Sequence, residues 1–176
     1  NTVLIGYAVG STNDLTLDFD GATEAVTNNT TTINNQGGAL TLDGDAGFAV
    51  NTGNLTANSA TSLTVSAEAG AAGKALTLGN VSTTAATAIT LSYGGTGTIN
   101  QTVGTLAANS AQTLSISQAG AGASTLDVGA TTASNALTSV VLNNTGTGNS
   151  TIAAIDASAG TPLTSTSFDI NWTGAN

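Results

Sequence analysis

The chain has 176 residues, enough for one domain with its own core. Ten acidic residues stand against one basic residue, Lys74, and the formal net charge is −9. This charge excludes nucleic acid and anionic lipid as partners, because proteins bind both through Lys and Arg. With 40% apolar residues and no long apolar run, the sequence indicates an ordered chain without a membrane span.

The N-terminal residues 1–10 contain the most continuously apolar stretch, which includes Val3, Leu4 and Ile5. We expect it to be a first strand that caps the core of its own chain. The alternative is a strand donated to a neighbouring subunit, since an extended segment adds readily to an exposed sheet edge. Residues 11–176 are expected to form a single repetitive domain.

A seven-residue motif, first seen as Leu15-Thr16-Leu17-Asp18-Phe19-Asp20-Gly21, recurs along that domain. Its copies begin at residues 15, 40, 63, 89, 114, 140 and 168, so the spacings are 25, 23, 26, 25, 26 and 28 residues. Spacing as regular as this is typical of repeat architectures.

Positions one and three of the motif are apolar and position two is usually polar, so each copy is predicted to be a half-buried strand. Position five holds Phe19, Tyr93 and Trp172 in some copies and Gln118 and Asn144 in others, which suggests an exposed column. No segment has helical periodicity, and we predict an all-β protein. Second strands are expected between the copies, at residues 48–50, 76–81, 99–103, 126–128 and 152–155.

A β-solenoid of about seven coils, each of about 25 residues, is the predicted architecture, because the repeat length is nearly constant. The alternative is a β-sandwich or jelly roll, in which short strands every 8 to 12 residues or so would form two facing sheets. In a solenoid, the open ends expose unpaired strand edges. Val3, Leu4, Ile5, Phe168 and Trp172 are therefore candidate cap or assembly contacts.

Acidic residues cluster in the first three copies of the motif. Asp18 and Asp43 are 25 residues apart, as are Asp20 and Asp45, and Glu68 follows in the third copy. Stacked coils would place these like charges opposite one another, which is unfavourable without a counter-ion. Because the chain has no Arg, a hard divalent cation such as Ca²⁺ is the predicted ligand. The alternative is a solvated acidic face made of turn residues.

Stacking would also align Thr16, Thr41, Thr64 and Thr90 in one outward column. Such a flat, weakly charged face suits an ice-binding or carbohydrate-binding module, although Thr is also a good strand residue in its own right. The chain has no His, no Cys and neither a nucleophile motif nor a phosphate loop, so we do not expect an enzyme.

Eight Asn residues lie in sequons for N-linked glycosylation, and glycans on them are expected if the source glycosylates secreted proteins. They are Asn28, Asn29, Asn54, Asn80, Asn100, Asn143, Asn149 and Asn171.

The Leu-Thr-Leu-Asp-x-Asp-Gly motifs, separated by spacers of Ala, Thr, Asn, Ser and Gly, resemble repeats of bacterial surface-layer proteins and large secreted adhesins, including calcium-dependent RTX types. Asp18, Asp20, Asp43 and Asp45 correspond to the acidic calcium positions, and no copy has the full glycine pattern. The resemblance implies an extracellular structural role with calcium-assisted assembly. We therefore predict a non-catalytic subunit of a surface layer or filament that self-associates through strand edges. The alternative is an adhesin or an ice- or carbohydrate-binding module.

Overall fold

The computed structural model describes residues 1–19, 25–44, 49–69, 76–95, 100–119, 125–129, 131–133, 137–147, 150–153, 155–156 and 167–172. Every helix or strand in these residues is a β-strand, and together they form three sheets. Within the same residues there is no helix with the length and apolar character needed to cross a membrane.

Each sheet collects one strand from successive repeats. Sheet A contains β1 (Thr2–Ser11), β4 (Thr30–Gln36), β7 (Asn54–Thr56), β10 (Val81–Ser82), β13 (Leu106–Ala108), β16 (Thr131–Ala133) and β19 (Ile155–Asp156). Sheet B contains β2 (Leu15–Asp18), β5 (Ala39–Asp43), β8 (Ser62–Ala69), β11 (Ala88–Gly95), β14 (Thr113–Gln118), β17 (Ser139–Asn144) and β20 (Ser167–Trp172). Sheet C contains β3 (Val26–Thr27), β6 (Val50–Asn51), β9 (Leu76–Leu78), β12 (Asn100–Val103), β15 (Thr125–Val128) and β18 (Ser150–Ile152).

The strands pair in parallel with their counterparts in the preceding and following repeats. In sheet B, Leu63 aligns with Leu40 on one side and with Ile89 on the other. This arrangement confirms the predicted β-solenoid and not the sandwich. Within the described residues six coils supply a strand to all three sheets and a seventh supplies only β19 and β20, so the expected count of about seven is slightly high.

Most of the strands that the sequence pattern did not predict as separate strands lie in sheet A. The segment expected to be one strand at residues 76–81 is two strands, β9 and β10, which meet at a corner formed by Gly79 and Asn80. The strands on either side belong to different sheets. Each coil is therefore three-sided, and its corners turn the chain from one sheet to the next.

Inward side chains from the three sheets form one apolar core. In the interior coils of sheet B, positions one and three of the motif are buried, and Leu40, Leu42 and Val65 have no exposed surface. Burying each such side chain stabilises the fold by about 1.5–3 kcal/mol. Each buried position recurs in the next coil, so the core is a set of aligned columns.

Position five of the motif also faces inward. Tyr93 and Gln118 are 2% exposed and Asn144 is fully buried, while Phe19 is half-buried against the core. The exposed column expected at this position is therefore wrong, because alternation along a strand places positions one, three and five on the same face. Buried Asn144 retains a hydrogen bond, since its Oδ1 accepts from the N–H of Gly146 at 3.1 Å.

At each end of the solenoid, the outermost described strands pair with one other described strand. At the N-terminal end β1, β2 and β3 are the outermost strands, and at the other end they are β18, β19 and β20. Three large apolar side chains near these ends are exposed: Leu4 by 68%, Val9 by 90% and Ile170 by 55%.

Candidate functional site

The acidic residues of the motif are only partly brought together by the structure. Asp18 ends β2 and is the register partner of Asp43, which ends β5. Asp18 is exposed and Asp43 is half-buried. The next residue in this column is Ser66, so the acidic character of position four stops after two coils.

Asp20 and Asp45 lie outside the described residues, and so does the side chain of Glu68, whose backbone in β8 aligns with Gly94. No group of three or more acidic, His or Cys residues able to hold a metal ion occurs in the part of the chain that the structure describes. Calcium binding at these acids stays a prediction that rests on the Asp18–Asp43 pair.

Asp14 has a structural role that the sequence did not indicate. Its Oδ1 accepts a hydrogen bond from the backbone N–H of Ala39 at 2.8 Å, which ties the first coil to the second. The residue stands immediately before β2, where the chain turns out of a loop into the strand. An Asp in this position satisfies a backbone donor, as Asp commonly does at turns.

The outward face of sheet B carries a column of hydroxyl groups. Thr16 aligns with Thr41, Thr41 with Thr64, and Thr64 with Thr90. These side chains are exposed or half-buried, and Ser115 continues the column. Neighbouring rows lie about 4.8 Å apart in a sheet, so the hydroxyls form a regular array.

Sheet C presents a second outward column that the sequence pattern did not reveal. Thr27 aligns with Asn51, Asn51 with Thr77, and Thr77 with Thr102. The strands that carry these residues are two to four residues long, and sequence alternation is difficult to recognise over so short a stretch. Their regular spacing of about 25 residues was the available signal.

The corner between sheets C and A is built from a ladder of asparagines and from a column of glycines, which are Gly53, Gly79, Gly104 and Gly129. The backbone N–H of Asn80 donates to Asn54 Oδ1 at 2.9 Å, and the N–H of Thr105 donates to Asn80 Oδ1 at 3.1 Å. The side-chain amide of one coil thereby satisfies a backbone donor of the next, which the turn would otherwise leave unpaired. Asn54 and Asn80 are both exposed and both lie in sequons.

The remaining sequons differ in their surroundings. Asn29 and Asn171 are exposed, whereas Asn28 and Asn143 are half-buried. Asn143 Oδ1 is a buried atom without a hydrogen-bond partner among the described residues. Asn149 and the side chain of Asn100 lie outside the described part of the chain.

The predicted assembly residues lie at the two ends. Val3 and Ile5 face inward from β1 and are half-buried, while Leu4 faces outward. β1 pairs along one side with β4, and no described strand pairs with its other side. Phe168 and Trp172 belong to β20 and align with Val140 and Asn144, but their side chains lie outside what the structure describes.

These ends and faces are the functional candidates that the geometry offers. Comparisons of the chain with protein-family models, with curated proteins and with solved structures found no match.

Proposed function

We propose that the protein is a non-catalytic structural subunit of an extracellular assembly, a surface layer or a filament, whose copies associate through strand edges at the solenoid ends. The observation that carries the proposal is the exposure of strand edges and apolar side chains at those ends. No described strand pairs with the outer side of these strands, and apolar side chains such as Leu4 and Ile170 are exposed beside them.

Unpaired strand edges are templates for adding another chain. β1 offers an edge ten residues long, and β20 offers one of six residues. Both edges combine free ladder positions with apolar surface, which is the pairing that strand addition uses. The extracellular location is proposed from the composition, which has few charges and no Cys, and from the sequons.

Self-association is tested by sedimentation and electron microscopy of the 176-residue protein at increasing concentration, with and without calcium. We expect concentration-dependent oligomers or filaments. Ile170→Lys should weaken association by at least about tenfold, because it places an unpaired charge in the contact. Thr105→Lys is the matched control, since Thr105 is exposed at a corner within the solenoid and away from both ends. A persistent monomer at high concentration would contradict the proposal.

A second candidate function is a binding module, either an adhesin segment or an ice- or carbohydrate-binding solenoid. The hydroxyl column on sheet B and the column of Thr and Asn residues on sheet C support it, because they offer aligned polar groups. Thermal hysteresis separates the ice-binding version from the assembly subunit. We expect activity that Thr64→Lys abolishes if the sheet B face binds ice, and its absence in the unmodified protein would remove this version.

A further inference from the structure

We infer that copies of this chain join head to tail, with β20 of one copy pairing in parallel with β2 of the next, in the register that the repeat uses within the chain. The inference rests on the proposed self-association and adds the polarity and register of the joint. Its partner is a second copy of the same chain.

The core columns supply the first argument, because they end in apolar residues at both ends. Position three of sheet B begins at Leu17, which is half-buried, and ends at Ile170, which is 55% exposed. Its interior members Leu42 and Leu91 are at most 1% exposed. Ile170 is exposed at a position that every interior coil buries, and Leu17 of a following copy would cover it.

Sheet A shows the same feature. Its inward column starts at Val3 and ends at Ile155, and both side chains are half-buried. Between them Leu55, Val81 and Leu106 are buried to 2% exposure or less. A second copy stacked in continuation would place Val3 over Ile155 while Leu17 covers Ile170.

Polarity follows from the order of the sheets. Each sheet is parallel throughout, so a copy added in the same direction continues sheet A from β19 to β1 and sheet B from β20 to β2, while sheet C ends at β18 among the described residues. A copy turned end over end reverses the order of the sheets around the axis. At most one sheet would then meet its counterpart, and the strands of the other two would meet strands of a different sheet, so that the core columns would not continue across the contact.

Charge fixes the register. In the continued register Asp169, at position two of its motif, lies opposite Thr16, and Asn171 lies opposite Asp18. A shift of two residues in either direction would bring Asp169 opposite Asp18 or Asp14. Opposed like charges are destabilising, and a shift of one residue would turn the apolar face outward. The continued register alone avoids both penalties.

Cross-linking tests the joint directly, because the chain contains no Cys of its own. In the continued register Asp156 lies opposite Leu4, since both belong to one column of sheet A. A mixture of Asp156→Cys and Leu4→Cys copies should form a disulfide, because neighbouring strands are about 4.8 Å apart and Cα separations of about 4.4–6.8 Å suit the bond. Asp156→Cys mixed with Thr2→Cys or Gly6→Cys should form far less, and these two controls report a shifted register.

Charge placement gives an independent readout. Thr16→Asp would oppose Asp169 and should weaken association about fivefold, whereas Thr90→Asp adds the same charge to the same column away from the joint and should have little effect. Asp169→Asn in the Thr16→Asp background should restore association.

Disulfides that form preferentially at Thr2→Cys or Gly6→Cys would overturn the register, and a disulfide between two Leu4→Cys copies would overturn the polarity. Either result would contradict the proposed head-to-tail interface, but it would not contradict self-association. If no copies associate under any condition, the proposed function fails, and the joint with it.

Discussion

Tyr93 is the largest fully buried side chain of the core, and its hydroxyl has no hydrogen-bond partner among the described residues. In its column the neighbours are Ala67 on one side and Gln118 on the other. The small Ala67 leaves room for the ring. The aromatic ring therefore fits the core by volume, while its polar atom reduces stability, since a buried polar group without a partner is unfavourable.

Replacing Tyr93 with Phe should raise the free energy of unfolding by about 1 kcal/mol, because it removes the buried hydroxyl and keeps the ring. For a chain of this size the melting temperature should rise by about 2–4 °C. Thermal unfolding followed by circular dichroism measures the change. Tyr7→Phe is the matched control, since Tyr7 is only half-buried and should show little gain. A lower melting temperature for Tyr93→Phe would mean that the hydroxyl is satisfied.

Burial also raises the pKa of the Tyr93 hydroxyl, because the charged form loses its hydration in the core. When a tyrosine has a higher pKa in the folded state, the free energy of unfolding is independent of its ionisation below the unfolded pKa and falls as pH rises above that value, because only the unfolded state ionises there. We expect the unmodified protein to lose stability above about pH 10, where unfolded Tyr ionises. Denaturant unfolding as a function of pH should show a smaller loss for Tyr93→Phe than for the unmodified chain.

Asp18 and Asp43 are the two motif carboxylates that the structure places opposite each other, and calcium binding between them stays a prediction. If calcium binds there, adding it should raise the melting temperature, and Asp43→Asn should abolish the rise because a carboxylate ligand is lost. Asp169→Asn is the matched control, since Asp169 lies at the opposite end of sheet B. An unchanged melting temperature of the unmodified protein in calcium would eliminate the site.

At the level of the strand, alternation of side chains determines which positions of the motif face the core. The motif copies are the strands of sheet B, and their inward positions one and three follow from period 2. The same parity places position five inside. Gln118 and Asn144 obscured this because polar residues are expected outside, and only the structure shows Asn144 bonded to the Gly146 backbone.

The short strands of sheet A were harder to predict from the sequence than the strands of sheet B. β10 and β19 have two residues each, which is too few for any alternation to be recognised. β10 follows the corner at Gly79, where the chain turns from sheet C to sheet A, whereas Ala153 stands after sheet C on the way to β19. The metal prediction was limited differently, because the structure aligns Asp18 with Asp43, whereas Asp20, Asp45 and the side chain of Glu68 lie outside the described residues.

The glycine column at that corner gives a test of coil packing. A Cβ on Gly104 would come within 2.7 Å of Asn80 Oδ1 and 2.8 Å of the Gly79 carbonyl group. Gly104→Ala should therefore destabilise the fold by about 1–3 kcal/mol, as overpacking does elsewhere. Gly6→Ala is the matched control, because nothing lies within 4 Å of its Cβ position. Equal stability of the two variants in denaturant unfolding would show that the corner relaxes freely.

At the scale of the whole molecule, the net charge opposes self-association, whereas the exposed apolar side chains at the ends favour it. Each copy carries −9, so copies repel at long range. Raising the ionic strength from about 0.01 M to about 1 M shortens the screening length from about 30 Å to about 3 Å. We expect stronger association at high salt, measured by sedimentation, with sodium chloride as a monovalent control for calcium. Weaker association at high salt would indicate that attraction between charges holds the copies together.

The common register of the coils makes chain length modular. Ser62 and Ala88 are register partners, so a chain without residues 63–88 would connect Ser62 directly to Ile89 and continue each column without a break. Removing half a coil would instead join two different sheets and misalign every column after the junction. The protein can therefore grow or shrink by duplication or loss of whole coils, each adding about 4.8 Å to its length, while both end surfaces stay the same.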